Sequence, residues 1–182
     1  MKRGPRPDKQ GSGKSHSPRS FGAHFLLAQL GSHAAAQFAE RLGGLSLAPP
    51  HSGILHILAE TPGLTQQSLS KKLGMVPSRL VALLDELEAR GLTERRRDEK
   101  DRRRHALCLT DKGRRTLAAI GEIAREHERR LLAALSEQER EQLAAVLQRI
   151  ADQQGLTRNV HPGYRRLGGK DRAAECKDAA AG

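Results

Sequence analysis

The stretch Pro77-Ser-Arg-Leu-Val-Ala-Leu-Leu-Asp-Glu-Leu-Glu-Ala-Arg-Gly91 decides how this chain is read, together with the residues that follow it. Leu80, Leu83, Leu84 and Leu87 stand at i, i+3, i+4 and i+7, which is one apolar face of a helix. At about 100° per residue, Ser78, Ala82 and Asp85 fall on the opposite side and Arg79 on the flank. Pro77 suits the first helical position, and Gly91 stands where a left-handed terminating residue is wanted. After Gly91 the period changes from 3.6 to 2. Residues 92–97 and 104–109 read as two strands around a charged tip. Leu107 and Leu109 share one face of the second strand, and Ala106 and Cys108 the other.

Helical patterns flank this unit on both sides. Upstream, Thr65 can cap a short helix carrying Leu69 and Leu73, which Gly74 closes. Pro49-Pro50 starts an earlier helix with Ile54, Ile57 and Leu58 on its face, and Thr61-Pro62-Gly63 stops it. Before that, Leu27, Leu30, Gly31, Ala34, Phe38 and Leu42 make a stripe, ended by Gly43-Gly44. Downstream, Thr110 caps a long helix with Leu117, Ile120, Ala124, Leu131 and Leu135. Ser136 and Glu139 form a capping box ahead of Leu143, Val146, Leu147 and Ile150. The order of four helices, a hairpin and two helices predicts a mainly α fold with a small β-hairpin wing. It is a winged helix-turn-helix flanked by N- and C-terminal dimerisation helices. The stripes on the first and last helices predict burial against a second copy, a homodimer.

Charge locates the partner. The 182 residues carry 32 Lys plus Arg against 21 Asp plus Glu, a net +11. Residues 1–20 hold six basic residues and one acidic, +5, and residues 155–182 hold six and three, +3. Within the middle block, residues 95–104 hold seven basic and three acidic residues, +4. The body outside that tip is therefore slightly acidic, and the tip is its one basic hot spot. Residues 1–20 are expected to be a disordered basic tail and residues 155–182 a second disordered tail. Their apolar content is too low to offset ordering entropy. No apolar run exceeds five residues, where a membrane span needs about 20. A secretory h-region is also lacking, so no membrane partner and a cytoplasmic location are expected.

An anionic duplex fits this distribution. Only the N-terminal turn of the Pro77 helix can enter a major groove favourably, because Asp85, Glu86 and Glu88 crowd its other half. Arg79 could read guanine, Ser78 a base edge or phosphate, and Pro77 and Ala82 complete that surface. Gln66, Gln67 and Ser68, at the start of the preceding helix, suit phosphate contacts. Arg95, Arg97, Arg102, Arg103 and Arg104 suit a narrow minor groove, and a carboxylate two residues before an arginine can hold its guanidinium in one pose. Double-stranded DNA is the expected partner. The alternative is a basic RNA-associated or protein-interaction module on the same scaffold, without sequence-specific operator binding.

Three segments together resemble the MarR family of bacterial transcriptional regulators. Residues Leu73-Gly-Met-Val-Pro-Ser-Arg-Leu-Val-Ala-Leu-Leu-Asp-Glu-Leu-Glu-Ala-Arg-Gly-Leu92 resemble its recognition helix. Asp98-Glu-Lys-Asp101-Arg-Arg103 resembles its wing, and Leu109-Thr-Asp-Lys-Gly113-Arg114 the start of its fifth helix. The resemblance covers about residues 21–154. It implies a DNA-binding part at about 48–112, with 21–44 and 113–154 as dimerisation helices. It also implies an obligate homodimer on a pseudo-palindromic operator, with Arg103 as the wing-tip arginine and Asp101 as its orienting partner. Many such proteins are repressors released by a small phenolic or other aromatic effector, bound between the dimerisation and DNA-binding parts.

Other chemistry finds little support. His24, His33, His51 and His56 are candidates to line an effector pocket, although aromatics are only 2% of the chain. None of these histidines has the i, i+4 spacing of a helical metal site, so no metal and no cofactor are expected. Cys108 reads as a tolerated cysteine on the outward side of the wing, and Cys176 as a tail residue. No nucleophile motif or Gly-rich phosphate loop occurs, so the chain is not expected to be an enzyme.

Overall fold

The computed structural model describes residues 22–97 and 105–166. Two compact units divide the chain, Met1–His33 and Ala34–Gly182. In the first unit, the described residues are Gly22 and the start of helix α1, Ala23–Gly43, and they are exposed. Phe25, Leu26, Leu27 and Leu30 are among the large apolar side chains left in contact with water. The second unit holds the rest of α1, then α2 Pro49–Glu60, α3 Gln66–Leu73 and α4 Pro77–Ala89. Strands β1 Thr93–Arg97 and β2 His105–Leu109 follow, then α5 Asp111–Leu131, α6 Glu137–Gln153 and a 3-10 helix at Pro162–Arg166.

Local signals account for the boundaries. Thr65 caps α3 by accepting from the Ser68 N–H at 3.2 Å, and Gly74 ends it in the left-handed region. Thr110 caps α5 by accepting from the Gly113 N–H at 2.9 Å, while its own hydroxyl donates to Gly91 O at 2.6 Å. Ser136 and Glu139 form the expected reciprocal capping box at α6. Gly113 is required by a close approach rather than by its backbone angle. A Cβ there would stand 2.0 Å from Leu92 O, so the start of α5 lies against the end of the α4–β1 turn.

The core is leucine-rich and centred on α4. Leu80, Leu83, Leu84 and Leu87 are buried, as their spacing predicts, against Ile54, Leu58, Leu69 and Leu73. Leu107 and Leu109 close it from β2. β1 and β2 pair antiparallel, with Thr93 opposite Leu109 and Arg97 opposite His105. A bridge that the sequence reading misses joins Leu64, between α2 and α3, to Leu107, adding a third short partner to the hairpin's core edge.

Two expectations need correction. Residues 155–166 were expected to belong to a disordered tail. Instead Tyr164 is 8% exposed and part of the core, and Val160 packs against it. One aromatic side chain supplies the burial that the segment's composition lacks. Cys108 is half-buried rather than outward, beside Leu58, Ala59, Pro62 and Arg114, because the second face of the hairpin lies against α2 and α5. Residues 1–20, the wing tip 98–104 and residues 167–182 lie outside the described residues. On α6 no residue is buried, and Val146, Leu147 and Ile150 of the expected stripe are exposed. Among the described residues no helix is long and apolar enough to cross a membrane.

Candidate nucleic-acid interface

The start of α4 presents an open helix end. Val76 occupies the cap position without a side-chain hydrogen bond, and Pro77 has no N–H to satisfy. Pro77, Ser78, Arg79 and Ala82 are all exposed, as the helical spacing requires once Leu80, Leu83 and Leu84 face inward. An uncapped N-terminus carries partial positive charge that favours an anion. Gln67 and Ser68 are exposed at the start of α3, and Gln66 is half-buried. The Ser68 hydroxyl is 2.9 Å from the Thr65 hydroxyl, so part of its hydrogen-bonding capacity serves the cap.

A cleft of about 640 Å³ runs between these elements and the hairpin, lined by Thr65, Gln66, Gln67, Val81, Asp85, Arg95, His105 and Leu107. Of these, the sequence reading placed Gln66, Gln67 and Arg95 at the nucleic acid and missed His105, among others. Strand alternation was the available signal, since His105 pairs with Arg97 and follows the charged tip.

The arginines of β1 divide by face. Arg95 turns toward α4, where Nη2 donates to Asp85 Oδ1 at 2.9 Å and Nη1 lies 3.3 Å from Glu88 Oε2. Its guanidinium thus forks across two carboxylates one turn apart and ties wing to helix. Arg96, on the opposite face, pairs with Glu94, whose carboxylate raises the guanidinium's pKa through hydrogen bonding and charge. Arg97 is exposed at the end of the described strand. Asp101, Arg102, Arg103 and Arg104 lie outside the described residues. The acids on α4, read at first as groups that phosphates would repel, therefore have structural partners.

Glu86 has one too. The buried His51 accepts the Ala48 N–H on Nδ1 at 3.0 Å, which puts its proton on Nε2, 3.0 Å from Glu86 Oε2. Burial lowers the His51 pKa, and Glu86 only partly opposes this. A neutral His51 thus joins the first turn of α2 to the outer face of α4. That engagement takes His51 out of the candidate pocket lining. His56 is exposed and pairs with Glu60 at 3.1 Å, and it lines a separate cleft between α2 and α5. His24 and His33 are exposed residues of the first unit. Arg90, ending α4, donates to Ser46 O and Leu45 O at 2.5 and 2.6 Å, holding the helix's far end. Among the described residues no group of three metal-ligating side chains occurs.

A helix held through Asp85, Glu86, Glu88 and Arg90 and open at its start, following α3 across a tight turn and standing beside a two-stranded wing, defines a winged helix-turn-helix protein. The family model described as MarR family matches residues 44–104. The solved structure of the transcriptional repressor CouR, bound to a 23-mer DNA duplex, is 36% identical. The match covers 71% of this chain and 92% of that one, with a TM-score of 0.63. The chain belongs to the MarR family. MepR of Staphylococcus aureus, a transcription regulator of a multidrug efflux pump, is 27% identical over 73% of this chain and 98% of that one, with a TM-score of 0.64. A putative transcriptional regulatory protein for the hcr operon of Thauera aromatica is 31% identical over 105 residues, 58% of this chain. The chain spans 63% of that relative's length and 54% of that of the Escherichia coli regulator HosA.

Proposed function

We propose that this protein is a sequence-specific DNA-binding transcriptional regulator, a ligand-responsive repressor that binds a pseudo-palindromic operator as a homodimer. The observation that carries the reading is the exposed, uncapped start of α4, with Ser78 and Arg79, beside the exposed start of α3. A recognition helix inserts its N-terminal end into the major groove, and that is the end of α4 left exposed here. CouR, solved bound to a 23-mer DNA duplex, supports DNA as the partner of this chain. Two copies would follow from apolar surface that a lone chain leaves wet: Leu26, Leu27 and Leu30 on α1, and Val146, Leu147 and Ile150 on α6. Arg97, with Arg102, Arg103 and Arg104 beyond it, would reach the adjacent minor groove. A cytoplasmic location and the absence of enzymatic activity belong to the same reading.

Selection from a random duplex pool, followed by competition, tests it. A recovered palindromic duplex should outcompete random duplex and single-stranded RNA by at least about 10³, the usual lower range of specific over non-specific binding. Equal competition by all three would favour the general nucleic-acid module instead.

A further inference from the structure

The residues that follow α6 turn back onto α2. Arg158 Nη2 donates to Asp152 Oδ2, in the last turn of α6, at 2.9 Å. Asn159 Nδ2 donates to Glu60 Oε1, the last residue of α2, at 3.2 Å. Val160 packs against the core, and the Gly163 N–H donates to His161 Nδ1 at 3.1 Å where the 3-10 helix begins. That helix carries the chain's single tyrosine. Tyr164 donates its phenol O–H to Pro49 O, at the first residue of α2, at 3.1 Å. Its ring lies on Gly53, where an added Cβ would stand 2.7 Å from Oη and 2.8 Å from a ring carbon. Glycine inside a helix is unfavourable by itself, and here its missing side chain is the space the ring takes up. The segment is thus a strap, tied to the end of α6 on one side and to both ends of α2 on the other. What it ties together is specific. Ile54 and Leu58 of α2 share the core with the α4 leucines, and His51 reaches Glu86 on the outer face of α4 at 3.0 Å. α6 buries none of its residues, and its Val146, Leu147 and Ile150 are the apolar face read above as meeting a second copy.

We propose that this strap, with Tyr164 as its positioning residue, sets the separation of the two α4 helices in a dimer and so fixes which half-site spacing the protein accepts. Each base pair added between half-sites turns the second one by about 34–36° and moves it about 3.4 Å. A reading unit that can rock on its dimerisation helices follows such a change, whereas one held rigidly does not. Packing of α2 on α5, through Ile120, is one line of support about which α2 can rock. A second tie, to α6, removes that freedom. The spacing claim rests on the homodimeric operator-binding reading above, and the strap rests on geometry alone.

Two measurements need no DNA. With no tryptophan present, tyrosine absorbance reports on Tyr164 alone. Burial raises its pKa, so phenolate should form above the ordinary phenol value of about 10. Gly53→Ala should push the ring off and return the titration to that value while helix content by circular dichroism holds. Tyr164→Ala should speed hydrogen exchange along α2 by about fivefold, the scale of one lost hydrogen bond. A wild-type tyrosine that titrates at the ordinary value, or unchanged exchange in Tyr164→Ala, would overturn the strap. The third measurement lengthens and shortens the spacer of the selected palindrome by one base pair. The wild type should bind the altered spacers at least about tenfold more weakly than the original, and Tyr164→Ala and Gly53→Ala should narrow that gap to about threefold. Single-base preference within each half-site should persist in both variants. Tyr164→Phe, which keeps the ring on Gly53, should stay close to the wild type. Equal weakening on every spacer, the mark of a merely structural role, would overturn the proposal, as would an undiminished spacing preference in Tyr164→Ala. A wild type that selects no palindrome would sink the operator reading instead, and the titration and exchange results distinguish that failure from a strap that is not in place.

Discussion

Arg95 allows two accounts with opposite signatures. As a phosphate contact it would leave α4 on replacement unaffected; as the tie between wing and recognition helix it would not. Arg95→Ala removes a fork held at 2.9 Å by Asp85 and 3.3 Å by Glu88. The Asp85 half is half-exposed and should contribute only about 0.2–1 kcal/mol. The Glu88 half counts for more. Its carboxylate is 25% exposed and Oε1 is buried without a partner, so losing Arg95 strips Oε2 as well. An under-satisfied polar group of this kind costs about 1–3 kcal/mol, and a total loss of about 1–4 kcal/mol in urea unfolding is expected. Operator affinity should fall too, because the wing loses its angle to α4, but the log–log salt dependence should keep its slope. A direct phosphate contact on each protomer would instead flatten the slope by about 2. The double variant Asp85→Asn with Glu88→Gln sharpens the contrast. It should weaken binding if Arg95 positions the wing, and strengthen it if the acids merely restrain a phosphate-binding arginine. A flattened slope with unchanged stability, or stronger binding by the double variant, would refute the positioning account.

Further outcomes follow from the same geometry. Gly113→Ala should destabilise the fold by at least about 1 kcal/mol, since its Cβ would meet the Leu92 carbonyl at 2.0 Å, and backbone cannot swing aside as a side-chain tip does. Thermal unfolding reads it. His51 has a lowered pKa in the folded state, so the unfolded chain takes up its proton first as pH falls. The neutral-His51 contribution should be present above about pH 6.5 and decline as pH drops from there toward the folded-state value. His51→Gln should remove that part of the pH dependence in urea titrations. Arg79→Ala and Arg103→Ala should each weaken operator binding by about 1–3 kcal/mol and relax sequence preference, measured by gel shift against single-base operator variants. Deleting residues 1–20, which carry +5, should flatten the salt slope and spare that preference.

Most of the fold was legible because its signals are short-range. Thr65, Thr110 and Ser136 each cap a helix through an N–H three residues on, and the α4 leucines repeat within two turns. The candidate reading surface was legible for the same reason: once the leucines face inward, Ser78, Arg79 and Ala82 must face out. The partners of the charged residues were not legible. The acids on α4 looked like a face that would only repel DNA, yet Asp85 and Glu88 hold Arg95, and Glu86 holds His51 from 35 residues away. Four histidines looked interchangeable as pocket lining until burial separated His51 from the exposed His56.

The sequence by itself determined which segments between residues 23 and 153 are helices, where the wing begins and which side chains of α4 face outward. Each depends on residues a turn or a strand step apart, whose relation the backbone geometry sets in advance. Only the tertiary structure decided which carboxylate each arginine takes, and that Tyr164 returns to Pro49 across 115 residues to lie on Gly53. A polar, glycine-rich segment has no periodicity to announce such a contact. Its order comes from a cavity that α2 and α5 create only after they have packed.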